Sequence, residues 1–172
     1  MTNEPEHHVA EIIAAAGGRL VSRIRLQKIA YLLDQLGSES GFDYVYYHYG
    51  PYSRDLDNAV LDAEAFGLVQ EKFDYRQTDG ARYSIFENKQ AVDGFTTLKD
   101  GRLRDLAKRL ASKNVTVLEL AATARWLVVD EGIPDWETEI RRRKGSKTDK
   151  GRLEEAKKLL SEIGLDLPQQ AA

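Results

Sequence analysis

The chain has 172 residues, 42% of them hydrophobic and 31% charged, enough to bury one core with a small helical annex. Its 25 basic residues nearly balance 28 acidic ones, which excludes a disordered chain, and the lack of cysteine excludes disulfides, thiolate catalysis and cysteine-held zinc. No apolar run of about 18 residues occurs, and the start from Met1 to Glu6 is acidic, so a cytosolic protein without membrane partner or secretory leader is expected.

After that tail, Val9, Ile12, Ile13 and Ala16 recur at helical spacing until Gly17-Gly18. Leu20-Val21 reads as a short strand. Ser22 precedes an amphipathic helix with Leu26, Ile29, Ala30, Leu33 and Leu36 on one stripe, and Gly37 stands at its C-terminal cap. An aromatic run from Phe42 to Tyr49 follows, extended until Gly50-Pro51 redirects the chain. Ser53 suits the N-cap of a third helix carrying Leu56, Ala59, Val60 and Ala63, which Gly67 ends. Leu68–Phe73 and Ala81–Phe86 then form a hairpin, with Asp79-Gly80 supplying the turn.

Everything after Asn88 reads as helix. One pattern reaches Ser112, with Val92, Phe95, Leu103, Leu106 and Leu110 inward, and Thr116-x-x-Glu119 has the form of a capping box for the next. Gly132-Ile133-Pro134 breaks that helix, a short one covers Asp135 to Lys144, and a last one covers Asp149 to Ile163. Trp126 and Trp136 serve as anchors between these helices. The fold class expected is α+β, mostly α: a winged-helix-like core with hairpin over residues 1–90, and a helical bundle over 91–172 packed on it as one compact unit.

In a DNA-reading winged helix the third helix enters the major groove and needs positive charge. Here that helix has Arg54 against Asp55, Asp57, Asp62 and Glu64. The first 90 residues carry nine bases and fourteen acids. Docking on another polypeptide therefore suits this helix better than docking on DNA. The basic residues gather elsewhere, at Arg141, Arg142, Arg143, Lys144, Lys147, Lys150 and Arg152, with Asp149 as the one acid among them. That cluster reads either as a site for an anionic partner, nucleic acid included, or as a solvated junction favouring a helix C-terminus.

Two segments carry a family resemblance. Leu26-Gln27-Lys28 with Tyr31 one turn on, followed by Tyr49-Gly50-Pro51-Tyr52 opening the next helix and a Gly67-Leu68-Val69 entry to the hairpin, resembles the Panacea domain, which includes SocA-like antitoxins and YwgA-like proteins. The resemblance covers residues 20–90. It implies a non-catalytic bacterial or phage accessory regulator that neutralises a partner, such as a cognate toxin, by direct contact. A basic partner would suit the acidic third helix, with a DNA-binding transcriptional regulator using the basic cluster as the alternative.

The contact surface expected combines Tyr47, His48, Tyr49 and Tyr52 with Arg54, Asp57 and Asp62. Tyrosine joins a large apolar body to a polar tip, which suits interfaces; five of the eight tyrosines fall within residues 44–52, with alternate rings available for packing. Lys28 is expected to run its stem over the core and keep its amine in water. His7 and His8 lie in a tail and point apart, so no metal is expected, and no cofactor is implied. No Gly-x-Ser-x-Gly, His-Glu-x-x-His or dinucleotide-binding turn is present, and Lys144-Gly145-Ser146-Lys147-Thr148 follows no strand.

Overall fold

In a computed structural model, which describes residues 4–169, the chain folds as helix, strand, helix, two strands, helix, two strands, and then helices. Residues 1–3 of the acidic tail lie outside the described residues. The order is α1 (Pro5–Ala15), β1 (Arg19–Val21), α2 (Arg23–Gln35), β2 (Val45–Tyr47), β3 (Gly50–Tyr52), α3 (Arg54–Ala65), β4 (Val69–Tyr75) and β5 (Arg82–Asn88). Then come α4 (Gly101–Ala111), α5 (Val115–Val129), α6 (Trp136–Lys144), a 3-10 turn (Gly145–Thr148) and α7 (Arg152–Glu162). This is the α+β, mostly α architecture of a winged helix with a helical extension.

One antiparallel sheet has the order β1-β5-β4, pairing Leu20 with Phe86 and Glu71 with Phe86 from the other side. The aromatic run forms a second, two-stranded ribbon, with Val45 opposite Tyr52 and Tyr47 opposite Gly50. The helix starts are set by polar caps that satisfy otherwise orphaned amides. Ser22 Oγ accepts from Arg25 N at 3.3 Å and Ser53 Oγ from Leu56 N at 3.3 Å.

Two boundaries differ from expectation. Residues 89–100 form a loop rather than a helical start, because buried Glu11 of α1 accepts the amides of Thr96, Thr97 and Leu98 at 2.6 to 3.3 Å. Helix α4 begins only where the Asp100 carboxylate accepts from Arg102 N at 2.8 Å. The cap of α5 is Asn114, whose side chain accepts from Thr116 N at 2.8 Å and Val117 N at 3.2 Å, which leaves Glu119 free for a different task.

Helix α5 runs through the centre. Its Ala121, Ala122 and Ala124 are fully buried, and their small side chains let it pack against α2, α6, α7 and β3. The buried apolar cluster is continuous from Val9 of α1 to Leu165. No helix among the described residues is long and apolar enough to cross a membrane.

Candidate functional site

The residues of the Leu26-Gln27-Lys28 and Gly50-Pro51 segments meet in space. Leu26 enters the core. The Gln27 amide pairs with the backbone of Ser53, donating to its carbonyl at 2.9 Å and accepting from its N–H at 2.8 Å. Lys28 does not keep its amine in water. It is only 2% exposed, and its Nζ donates to the Pro51 carbonyl at 2.6 Å. The chain doubles back at β2–β3, and that covers the amine which α2 alone would leave open. Burial pushes the Lys28 ammonium down to about 7, against the opposing pull of Glu119, with Lys144 and Lys147 pushing it further down. Tyr31 donates to Asp130 at 3.0 Å and its ring meets Tyr44 edge-on at 5.1 Å.

Gly50 makes this arrangement possible. Its φ is +94°, and a Cβ there would lie 2.4 Å from Thr123 Oγ1 and 3.8 Å from Lys28 Nζ. Beyond it, Glu119 is buried on α5 and accepts from Lys144 Nζ at 2.8 Å and from Lys147 Nζ at 3.0 Å.

Much of the basic run is engaged within the fold. Arg143 pairs with Glu131 at 2.8 Å and Glu139 at 2.7 Å and lies over the Tyr46 ring at 4.7 Å. Hydrogen bonds from Arg142 and Arg143 hold the Glu139 carboxyl down to about 2. Arg152 donates to the carbonyls of Lys147 and Ser146, each at 2.7 Å. Arg141, Arg142 and Lys150 are exposed.

In the aromatic run, alternate rings face opposite ways. Tyr44 and Tyr46 turn inward, Tyr44 donating to Asp34 at 3.2 Å and Tyr46 lying 6.5 Å from Trp126. Tyr47, His48 and Tyr49 are exposed. Tyr47 lies 4.4 Å from the His48 ring and 5.4 Å from that of Tyr52, and the Tyr52 hydroxyl donates to Asp57 at 2.6 Å. Asp57 also takes Gln27 at 3.2 Å and Arg23 at 3.3 Å, so it is occupied within the fold. Arg54 and Asp62 stand exposed on α3.

His8 corrects the picture of a pair of tail histidines. It is buried, with Nδ1 2.8 Å from Thr97 Oγ1, and burial lowers its pKa. His7 is exposed. Among the described residues no group of three or more His, Asp or Glu is placed to hold a metal.

A groove of about 1280 Å³ lies between the start of α2, the β4–β5 hairpin and the start of α5. Phe73 and Tyr75 occupy alternate positions of β4 and are 49% and 62% exposed; Tyr49 at the far wall is 47% exposed. The Arg82 guanidinium lies over the Phe73 ring at 4.3 Å. Arg23, Arg25, Arg76 and Lys147 join Arg82 along the walls, against Asp74 and Glu119. This groove is not among the sites expected from the sequence. The available signal was two rings at alternate positions on the part of a hairpin that leaves the core.

No family model matches the chain. It is similar to a DNA ADP-ribosyl glycohydrolase of Thermus aquaticus (strain ATCC BAA-2747 / Y51MC23), 27% identical over 128 residues that cover 69% of this chain and 34% of the relative. The chain therefore spans about a third of the relative's length. This relative is named for a hydrolase, which overturns the expectation of a non-catalytic regulator that neutralises a partner protein.

Proposed function

We propose that the chain works in the hydrolytic removal of ADP-ribose from DNA, and that its groove holds the modified strand. Glycohydrolysis adds water across a glycosidic bond: the ribose carbon takes the hydroxyl and the released DNA atom takes the proton. The substrate offers phosphates and flat base rings, and the groove offers guanidinium groups beside open aromatic faces. The observation that carries the reading is the Arg82–Phe73 stack with Tyr75 beside it. Base-to-ring stacking needs such exposed faces, and a guanidinium over a ring serves both stacking and phosphate contact.

The groove's acids are engaged in the fold. Glu119 holds two lysines, and Asp74 accepts from Tyr75 N at 2.8 Å. What these side chains support is the holding of the strand for bond cleavage. The test titrates an oligonucleotide carrying ADP-ribose, and its unmodified twin, by fluorescence anisotropy, with released ADP-ribose followed in the same samples. Tighter binding of the modified strand is expected, with a loss of roughly tenfold on Phe73→Ala, the scale of one stacking contact. Equal affinity for the twins, or a Phe73→Ala variant that binds like the wild type, overturns it.

A further inference from the structure

Next to the groove lies a second cleft of about 750 Å³, between β1, the first turn of α2 and the outer face of α4. The two share Val21 and Arg25 as lining residues, so they form one path over the β1–α2 junction. The walls of the second cleft carry Arg19, Arg25, Lys108 and Arg109 against Asp105, and its floor is Ala16, Leu20, Val21 and Ala111. It has no aromatic ring in its lining. Its chemistry therefore differs from that of the groove: it offers positive charge without a stacking platform.

Arg25 stands at the saddle between them. Its Nε donates to the Val21 carbonyl at 2.9 Å, and its Nη1 donates to the carbonyls of Ala111 and Lys113. These bonds fix the guanidinium plane, while Nη2 makes no hydrogen bond among the described residues. No carboxylate there forms an ion pair with Arg25. Lys108 is exposed and likewise has no ion pair among the described residues. Arg109 is partnered by Glu162, and Arg19 lies 3.9 Å from Glu87 with its side chain 56% exposed.

We infer that this cleft binds the sugar-phosphate backbone of a DNA strand leaving the groove, with Arg25 Nη2 and Lys108 each contacting a phosphate. The inference rests on the groove being the place where DNA is held. A rigid donor edge with positive neighbours suits a phosphodiester oxygen, and the lack of rings argues against a base.

The experiment measures binding of unmodified oligonucleotides from about 4 to about 16 nucleotides, the range of common single-strand sites, at several salt concentrations. Affinity is expected to rise stepwise once the strand reaches across Arg25. Lys108→Glu and Arg19→Glu, both at exposed positions outside the groove, should abolish that step and leave the shortest oligonucleotides bound as before. Each lost phosphate contact should lower the slope of log K against log salt by about 0.7. If both variants follow the wild type at every length while binding persists, the cleft is not the backbone site, and the groove reading survives. If Lys108→Glu instead weakens ADP-ribose added alone, the assignment to strand backbone is overturned. If no oligonucleotide of any length binds, the groove reading falls and takes the cleft with it.

Discussion

Lys28 sits in an environment that its type seldom accepts. Its amine is buried against the Pro51 carbonyl and its pKa falls to about 7. A lysine depressed in the folded state keeps its proton longer in the unfolded chain, so unfolding takes up a proton between pH 7 and the ordinary lysine value. Stability must therefore rise with pH across that window, by at most about 1.4 kcal/mol per pH unit for one proton. Denaturation of wild type and Lys28→Met between pH 6 and 10 should show a difference whose slope has this sign, flat below about 7. Parallel curves would mean that the amine keeps its ordinary affinity for protons. Gly50 is the second such residue, since Gly50→Ala combines a φ of +94° with an approach to Thr123 Oγ1 of 2.4 Å. A loss of about 2–4 kcal/mol is expected from strain and overpacking together. Gly80→Ala, at φ +71° with nothing within 4 Å, should lose only about 1–2 kcal/mol, and chemical denaturation separates the two.

At the scale of elements, Glu119 ties α5 to the end of α6 and the turn after it. The Lys144 and Glu119 side chains are each 4% exposed, whereas that of Lys147 is 42% exposed. Breaking a buried pair strands a charge, at a cost of about 3–5 kcal/mol, while an exposed cation contributes about 0–1 kcal/mol. Glu119→Gln should therefore destabilise strongly and speed hydrogen exchange over residues 136–148, and Lys147→Met should do neither to a measurable degree. The same residue shows where sequence is readable and where it is not. The spacing Thr116-x-x-Glu119 is that of a capping box, and local pattern carries no trace of lysines 25 and 28 residues away that claim the carboxylate first. Likewise Val92 and Phe95 have helical spacing with α4, but Glu11, 85 residues back, captures the Thr96 amide and holds a loop there. The stripes of α2 and α3, the serine caps and the β4–β5 hairpin are legible because each depends on residues within a turn or two. The candidate groove is not, since it joins β4, β5, α2 and α5 from distant parts of the chain.

For the whole molecule, the decisive quantity is where charge of each sign lies. The net charge of −3 hides a division between the acidic outer side of α3 and the basic path through groove and cleft. The two regions touch at Arg23, which lines the groove and reaches Asp57 of α3 at 3.3 Å and Glu71 of β4 at 2.8 Å. If a strand enters the groove past α3, Asp62 and Glu64 act on it through their field, since neither lines the groove. Such fields act on encounter and are screened over about 8 Å at physiological salt, whereas contacts made in the complex govern its lifetime. Asp62→Lys should speed association with DNA at low ionic strength, lose that effect as salt rises past about 0.15 M, and leave dissociation unchanged. Arg82→Lys, which keeps the charge and loses the planar guanidinium over Phe73, should act the other way round, shortening the lifetime of the complex at both salt concentrations. Stopped-flow measurement of both rates separates the two behaviours. An Asp62→Lys variant with unaltered association at low salt would place the strand's approach away from α3, and an Arg82→Lys complex of unchanged lifetime would remove the hairpin from the contact.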